Sequence, residues 1–370
     1  MTENNTRSPF LQIKIDYISF MVQIYKLMAY EEHTTGILFA LLMESDYLTQ
    51  EQLEVLTGYS KSTISEVLSH LQNIIGEFPI LQTRKPGDRK KYYYCPSSLE
   101  QYAKSGFLSA VKASKASVDF IPPLLARLEA LGPKTPAILH VKHILSYTFR
   151  TTHYYHSVGS SAGEILDKLF EDSDFTPDFQ TLLARARESL PGFDPLHVEG
   201  DSLEKIKEEF VNKLLKLSSE MMGGKEELIK LFLVLYLEHK PVTQEDLMEL
   251  THYGRAKVSQ ALNTVLELKV VQMVKKPRDR KKYYEMAMPF ENYASGKLTR
   301  TKQYYAQIQS MLKKRIIPEL SKIHVKNEED EAEKERLESY FQENVRAYQI
   351  FDKFATLIHS AVQEEVNQIF

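Results

Sequence analysis

Two clusters of basic residues, each at a Lys-Pro turn, are the residues of this chain best suited to binding chemistry. The first cluster sets five cations against one carboxylate, a net charge of +4: Arg84, Lys85, Arg89, Lys90 and Lys91, with Asp88. The second sets six against one, a net charge of +5: Lys275, Lys276, Arg278, Arg280, Lys281 and Lys282, with Asp279. Clustered Lys and Arg side chains neutralise phosphates and release counterions, which dominates affinity for nucleic acid. The clusters therefore predict two phosphate-binding sites.

Polar side chains precede each cluster on one face of a predicted helix. They are Ser60, Lys61, Ser62, Thr63 and Ser65 before the first cluster, and Arg255, Lys257, Ser259 and Gln260 before the second. A helix with such an outward face fits the major groove of DNA, and an arginine on a nearby hairpin reaches the minor groove. We also expect the guanidinium group of Arg89 to be held by a charge-assisted hydrogen bond to Asp88. The same bond is expected between Arg280 and Asp279.

The net charge of the whole chain is -3, from 47 Lys and Arg against 50 Asp and Glu. Taken alone, this balance argues against a nucleic-acid partner. The two clusters together carry +9, however, so the remainder of the chain carries -12. The near-neutral balance is therefore a cancellation, and the acidic remainder would repel DNA everywhere except at the two basic clusters.

The chain contains an internal duplication. Residues 49–59 match residues 243–253 at an offset of 194, and residues 85–93 match residues 276–284 at an offset of 191. The repeated unit is about half the chain long, so the pattern indicates a duplicated domain rather than a solenoid, whose units are about 20–50 residues.

The same order of elements is predicted in both copies. In the first copy a helix starts at Thr49, where Thr49 and Gln52 have the spacing of a capping box. Ser60 caps the next helix, whose apolar positions recur at helical spacing: Ile64, Val67, Leu68 and Leu71. Segments 80–84 and 92–94 then flank a Pro-Gly-Asp turn, which predicts a β-hairpin. Helices followed by such a hairpin make a winged helix-turn-helix.

Long segments with one apolar face flank each of these units. We predict a mainly α protein with small β-hairpins, in which two tandem winged helix-turn-helix units are joined by a helical body of the dimerisation type. The first repeat covers 1–190 with a winged core at about 31–98, and the second covers 203–370 with a winged core at about 224–290. Residues 191–202, rich in Pro, Gly and Asp, form the predicted linker, and 159–178 is predicted to be a loose segment.

The runs LTQEQLEVLTGYSKSTISEVLSHLQ and TRKPGDRKKYYY resemble MarR-type regulators, most closely their GbsR-like branch. That branch pairs a recognition helix similar to SKSTVS with a wing similar to PGDRKxYY. The match covers about 60 residues in each copy. The second copy departs from it, because GRAKV at residues 254–258 replaces SKSTI at residues 60–64 and Arg278 replaces Gly87. These departures add positive charge and leave open whether both halves prefer the same bases.

The resemblance implies a sequence-specific, double-stranded DNA-binding transcriptional regulator in the cytoplasm, associated with the nucleoid. The family binds DNA as a homodimer whose terminal helices form the dimer body, so this chain resembles such a dimer fused into one polypeptide. It is then a monomer with internal pseudo-two-fold symmetry, whose recognition helices meet two half-sites. Some regulators of that branch respond to choline, and a small-molecule effector is a further expected partner.

Two groups of tyrosines could line an effector pocket, as an aromatic cage for a cation, or belong to the core. They are Tyr147, Tyr154 and Tyr155 in one helical segment, and Tyr17, Tyr25 and Tyr30 in another. The core interpretation is favoured, because the segments also have an apolar face.

Other chemistry finds little support in the sequence. The histidine pairs at 140/143 and 153/156 could share helix faces and bind zinc or nickel, but no carboxylate or Cys pattern accompanies them, so no metal and no cofactor are expected. Cys95 is the single cysteine. There is no glycine-rich phosphate loop, HExxH or GxSxG motif, so we do not expect an enzyme. No apolar run is long enough for a membrane span.

The alternative function is a tandem winged-helix scaffold for protein interactions that does not read DNA.

The fused-dimer interpretation makes a prediction about size. We expect the chain to sediment and scatter light as a folded monomer near its chain mass of 42.8 kDa. An obligatory dimer in solution at micromolar concentration would contradict the interpretation.

Overall fold

The computed structural model describes residues 9–27, 30–73, 80–222 and 226–367. This part of the chain is mainly helical and contains two small antiparallel sheets, so the prediction of a mainly α protein with small hairpins is confirmed at that level. Within these ranges, no helix has both the length and the apolar character required to cross a bilayer.

The described elements follow one another in the same order from the first to the fifth helix of each half, and the two halves differ after that point. The first half contains α1 (Pro9–Leu27), α2 (Glu32–Met43), β1 (Leu48–Thr49), α3 (Gln50–Thr57), α4 (Lys61–Asn73), β2 (Leu81–Thr83), β3 (Tyr92–Tyr94), α5 (Leu99–Ala130), α6 (Pro136–Gly159), α7 (Ala162–Glu171) and α8 (Phe179–Glu188). The second contains α9 (Leu203–Met222), α10 (Glu226–Leu237), β4 (Val242–Thr243), α11 (Gln244–Thr251), α12 (Arg255–Glu267), β5 (Val271–Val274), β6 (Tyr283–Met286), α13 (Phe290–Met311), a π-helical segment (Leu312–Ile316), α14 (Ile317–Ser321) and α15 (Glu328–Asn367).

The chain forms two compact units, and each is assembled from separate stretches of sequence. The first unit comprises 1–107, 166–175 and 300–356, and the second comprises 108–165, 176–299 and 357–370. Each unit therefore combines one of the two sheets with helices from the other half of the chain. Residues 191–202 contain neither helix nor strand and belong to the second unit. The division into domains at this linker stays a prediction.

In the first unit, α4 packs on α2 and α3, and a three-stranded sheet follows. The strand order is β1-β3-β2 with both pairs antiparallel, and Leu48 lies opposite Tyr93. The predicted capping box is confirmed, because the backbone N–H of Thr49 donates to Gln52 Oε1 at 2.8 Å and that of Gln52 donates to Thr49 Oγ1 at 3.2 Å. The capped helix start and the strand β1 thus share residue Thr49.

The second unit repeats these local features. Its strand order is β4-β6-β5, and α12 packs on α10 and α11. Thr243 forms a capping box with Asp246, with backbone-to-side-chain distances of 2.7 and 3.2 Å. Helix α3 ends at Gly58 with a left-handed φ of +74°, and α11 ends at His252 with a φ of +58°. The two repeats therefore use the same helix-ending geometry, although only the first has the glycine that favours it.

The core of the first unit joins α1 to α15, which lie at opposite ends of the sequence. Tyr17 is fully buried, and the amide of Asn344 donates a 2.9 Å hydrogen bond to its hydroxyl. The hydroxyls of Tyr25 and Tyr348 lie 3.3 Å apart. Burial raises the pKa of Tyr17 and of Tyr25 well above the ordinary tyrosine value, so both stay protonated. These polar contacts fix which faces of the two helices meet.

The core of the second unit buries α9 from the second half of the sequence against helices from the first half. The rings of Phe120 and Phe210 lie 6.1 Å apart. Arg127 on α5 donates two hydrogen bonds of 2.7 Å to the carboxylate of Asp201 and a third to Glu209 on α9. Because the arginine fork matches a carboxylate in two places, it fixes the start of α9 against α5.

Four of the six tyrosines with two possible roles are core residues, whereas Tyr30 is exposed, so the core interpretation is wrong for Tyr30. Tyr17, Tyr25, Tyr147 and Tyr154 are all less than a tenth exposed, so the core interpretation is confirmed for them. Tyr155 is half-buried, and its hydroxyl lies 3.2 Å from Nδ1 of His359.

One local prediction was wrong. Residues 159–178 were expected to be loose, but α7 occupies the middle of that stretch. Ala162, Leu166 and Leu169 are buried there at helical spacing. Most of the Gly, Ser and Asp residues that suggested a loop flank this short helix, and Gly163 lies in its first turn.

The two capping boxes can be tested by mutation. Replacing Thr49 or Thr243 by Ala should lower the free energy of unfolding by about 1 kcal/mol each, because a helix N-terminal donor loses its partner. The measurement is urea denaturation followed by circular dichroism. Ser69→Ala is the control, since this side chain is exposed and has no hydrogen bond in the described structure. Cap variants as stable as this control would show that the boxes contribute nothing.

Candidate nucleic-acid interface

The N-terminal turn of α4 presents a group of hydroxyls. Ser60 Oγ accepts a hydrogen bond from the backbone N–H of Thr63 at 3.3 Å, as expected for the cap. The hydroxyls of Ser62 and Thr63 lie 2.8 and 2.9 Å from Ser60 Oγ. Ser60, Lys61, Ser62 and Ser65 are exposed, and Thr63 is half-buried. The face expected to be polar is therefore outward, while the predicted apolar stripe is buried.

The equivalent helix α12 presents charge in place of hydroxyls. Its N-cap is Gly254, which supplies no side-chain hydrogen bond. Arg255, Lys257 and Gln260 are exposed, and Ser259 is half-buried. The ammonium group of Lys257 lies 4.1 Å from the ring centroid of Tyr253. Here too the apolar stripe of Val258, Ala261, Leu262 and Val265 is buried.

The first basic loop, residues 84–91, connects β2 to β3 through a tight turn. The backbone N–H of Asp88 donates to the carbonyl of Lys85 at 3.0 Å. Pro86 stands at the second turn position and Gly87, with a φ of +83°, at the third. This is the sequence and conformation of a type II turn, which requires a left-handed residue at the third position. All five cations of the loop are exposed.

The second basic loop, residues 275–282, makes the same turn without the glycine. The N–H of Asp279 donates to the carbonyl of Lys276 at 3.2 Å. Arg278 occupies the third position with a φ of +61°. A non-glycine residue in this conformation costs about 1–2 kcal/mol. The loop thus carries a sixth cation at a position where glycine would be free of strain, and all six cations are exposed.

The predicted pairing of aspartate with arginine in each loop is wrong. Asp88 accepts from the backbone N–H of Lys90 at 2.8 Å and from the hydroxyl of Tyr92 at 2.7 Å. The bond from Tyr92 is the main reason that the pKa of the Asp88 carboxyl lies below its usual range. The carboxylate of Asp88 is thus bound to Tyr92 and to the backbone of its own loop. Asp88 therefore stabilises the turn, and within the described residues the Arg89 guanidinium group forms no ion pair.

The second loop has the same arrangement. Asp279 accepts from the N–H of Lys281 at 2.9 Å and from the hydroxyl of Tyr283 at 2.7 Å. The bond from the backbone of Lys281 is the largest cause of the lowered pKa of Asp279. In both loops, therefore, one carboxylate is hydrogen-bonded to a tyrosine of the same hairpin and stabilises the turn. We call this contact the Asp–Tyr brace.

Sequence reasoning missed two aromatic residues that belong to the loops. Tyr92 and Tyr283 each form a cation–π contact with a lysine of the loop. Lys85 Nζ lies 4.7 Å from the ring centroid of Tyr92, and Lys276 Nζ lies 3.8 Å from that of Tyr283. Their recurrence at the same place in both repeats was the available signal. Each tyrosine holds a carboxylate with its hydroxyl and a cation with its ring.

The positive charge of the loops is largely unpaired. Among the residues that the structure describes, Glu51 is the one carboxylate within ion-pair distance of the first loop, 3.8 Å from Lys90. In the same part of the chain, no carboxylate lies within 4.0 Å of a second-loop cation. On the helices, Lys61 pairs with Glu51 at 3.2 Å and Arg255 with Glu245 at 3.5 Å. Exposed pairs at such distances contribute little, so these cations stay available to an anionic partner.

The histidines and the cysteine lie elsewhere. His140 Nε2 bonds the Tyr236 carbonyl at 2.9 Å, and His153 Nε2 bonds the Ala186 carbonyl at 2.9 Å. The described residues contain no group of three or more potential metal ligands. Cys95 is buried, which raises the pKa of its thiol.

The chain matches no model of a known protein family and no curated protein. The likeness to MarR-type regulators thus depends on the motif residues quoted above.

The left-handed turn residues can be tested as a pair. Gly87→Ala should lower the free energy of unfolding by about 1 kcal/mol, because it places a side chain in the left-handed region. Arg278→Gly should raise it by a smaller amount, since relief of strain is partly offset by the greater freedom of glycine in the unfolded chain. Urea denaturation measures both. Lys282→Ala controls for loss of one charge from the loop, and an Arg278→Gly variant no more stable than that control would contradict the strain.

Proposed function

We propose that this chain is a sequence-specific, double-stranded DNA-binding transcriptional regulator of the MarR type. The observation that carries the proposal is a combination found in both repeats. In each, an outward polar helix face is followed by a braced hairpin loop whose cations are exposed and largely unpaired. In this proposal each repeat core is a winged helix-turn-helix, with α4 and α12 as recognition helices.

We call the polar helix and the basic loop of one repeat its reading head. The helix and the loop would make different contacts with DNA. An α-helix fits the major groove, where its N-terminal residues face base edges. The basic loop lies on the phosphates and directs an arginine, Arg89 or Arg280, toward the minor groove. The Asp–Tyr brace supports this role, because it shapes the loop without consuming the guanidinium group.

A single-chain pseudo-dimer is the assembly that we propose. Its support is the composition of the compact units, each of which holds one reading head together with helices from the other repeat. In a homodimer with intertwined terminal helices, each half would borrow from its partner in the same way. One polypeptide would then supply both reading heads, and the working form would be a monomer in the cytoplasm, associated with the nucleoid.

An effector could act through a cleft in the second unit. The cleft has a volume of about 480 Å³, within the range of small-ligand sites, and is lined by residues that include His140, His239, Glu285 and Met286. Nδ1 of His239 is buried without a hydrogen-bond partner. Because Glu285 and Met286 belong to β6, a ligand in the cleft would contact the strand that leads out of the second basic loop.

DNA binding is tested by band shifts with double-stranded fragments over a range of salt concentrations. We expect tight binding that weakens steeply with salt, because counterions are released from the phosphates. Arg89→Ala and Arg280→Ala should each weaken binding several-fold and reduce the slope of log K against log salt by about 1. Both residues are exposed, so thermal melting should be unchanged.

Lys313→Ala is the matched control, because it removes one exposed charge outside both loops. Equal effects of the control and the loop variants would show that only total charge matters. Absent or salt-insensitive binding would overturn the proposal and favour the alternative, a protein-interaction scaffold.

A further inference from the structure

The two helices α4 and α12 can be compared position by position, because they bury the same stripe. At the offset of 194, Ile64 corresponds to Val258 and Leu68 to Leu262, and all four are at most 2 % exposed. Two helices that bury equivalent positions turn equivalent positions outward. Residues at the same offset on the exposed faces would therefore face the same groove position in two half-sites.

Two of the exposed positions that differ between the helices lie beyond the first turn, on the face that would meet base edges. Glu66 in α4 is replaced by Gln260 in α12, and Ser69 is replaced by Asn263. All four side chains are exposed. Neither Glu66 nor Gln260 has a side-chain hydrogen bond or an ion pair within the described part of the chain. Their polar groups are therefore available to a partner.

A carboxylate and a carboxamide differ in their hydrogen-bonding groups, so they suit different base edges. An ionised carboxylate only accepts hydrogen bonds, so in the major groove it suits the N4 amino group of cytosine. A carboxamide both donates and accepts, and it forms two bonds with N6 and N7 of adenine. Glu66 would also be repelled by phosphates, so it fits this face only where a base donor meets it. Asn263, three residues after Gln260 on the same face, has the same preference for adenine.

We infer that the two reading heads require different half-sites, so the DNA sequence bound by the chain is not a palindrome. Glu66 specifies a C·G pair in the half-site of α4, and Gln260 specifies an A·T pair at the corresponding place in the half-site of α12. This inference rests on the proposed function. A homodimer must read the same half-site twice, whereas a chain with two unlike heads distinguishes the direction of its site.

The experiment is selection of bound sequences from random double-stranded DNA, carried out with the full chain. The wild type should enrich sites with two dissimilar half-sites, one with C and one with A at the corresponding position. Glu66→Gln should replace the preference for C by a preference for A and make the two halves more alike. Gln260→Glu should make the opposite change in the other half.

The ratio of affinities for synthetic C and A sites measures the size of each change. For each variant we expect it to shift by about 5- to 150-fold at the affected half-site and to stay constant at the other. Glu335→Gln is the matched control, since it makes the same chemical change at an exposed position of α15. It should leave the ratio unchanged, although loss of an acidic charge raises affinity for all DNA slightly.

The outcomes separate this inference from the function on which it rests. Identical half-sites for the wild type, or a Glu66→Gln variant that selects the same bases as the wild type, would overturn the inference and leave DNA binding intact. Failure to enrich any sequence would overturn the proposed function itself, and the inference with it. Because both substitutions are on exposed, unpaired side chains, circular dichroism and melting curves should match those of the wild type.

Discussion

The long helices of this chain must bury an apolar face, and in each unit the covering helices come from the other half of the sequence. In the first unit α1 is sealed by α15, with Tyr17 and Asn344 joined in the buried contact. In the second, α9 is held against α5 by Arg127, whose guanidinium group binds Asp201 and Glu209. Since an exposed face of this size is unfavourable in water, neither half of the sequence can complete its own core.

In each repeat, a polar helix and a basic loop lie on such a core, and interactions between residues close in sequence fix their conformation. A capping box starts α3 and α11, a left-handed residue ends each of them, and an aspartate stabilises the turn of each hairpin. None of these devices uses the guanidinium groups or the outward polar face. The parts that hold the shape are thus separate from the parts that could meet a partner, which allows the second set to change without loss of fold.

The differences between the repeats follow that separation in part, since the helix-ending Gly58 and the N-cap Ser60 are also replaced, by His252 and Gly254. The caps at Thr49 and Thr243 and the braces at Asp88 and Asp279 are the same in kind. The exposed positions have diverged, and so has the turn position where Arg278 replaces Gly87 at a cost in backbone strain. In a chain proposed to read DNA with both halves, divergence at these positions alters what is read and how strongly phosphates are held.

The sequence by itself determined the local elements, because caps, helical stripes and turns depend on residues a few positions apart. Thr49 with Gln52 predicted a helix start, and the stripe that begins at Ile64 predicted a buried face; both were found. The two-residue strand β1 was missed, since two residues are too few to show alternation. The bond expected between Asp88 and Arg89 was also wrong, because the hairpin brings the hydroxyl of Tyr92 and the backbone N–H of Lys90 to the carboxylate instead. Only the tertiary structure shows which helix covers the core of each unit. That choice depends on contacts such as Tyr17 with Asn344, whose residues are brought together only by folding of the whole chain.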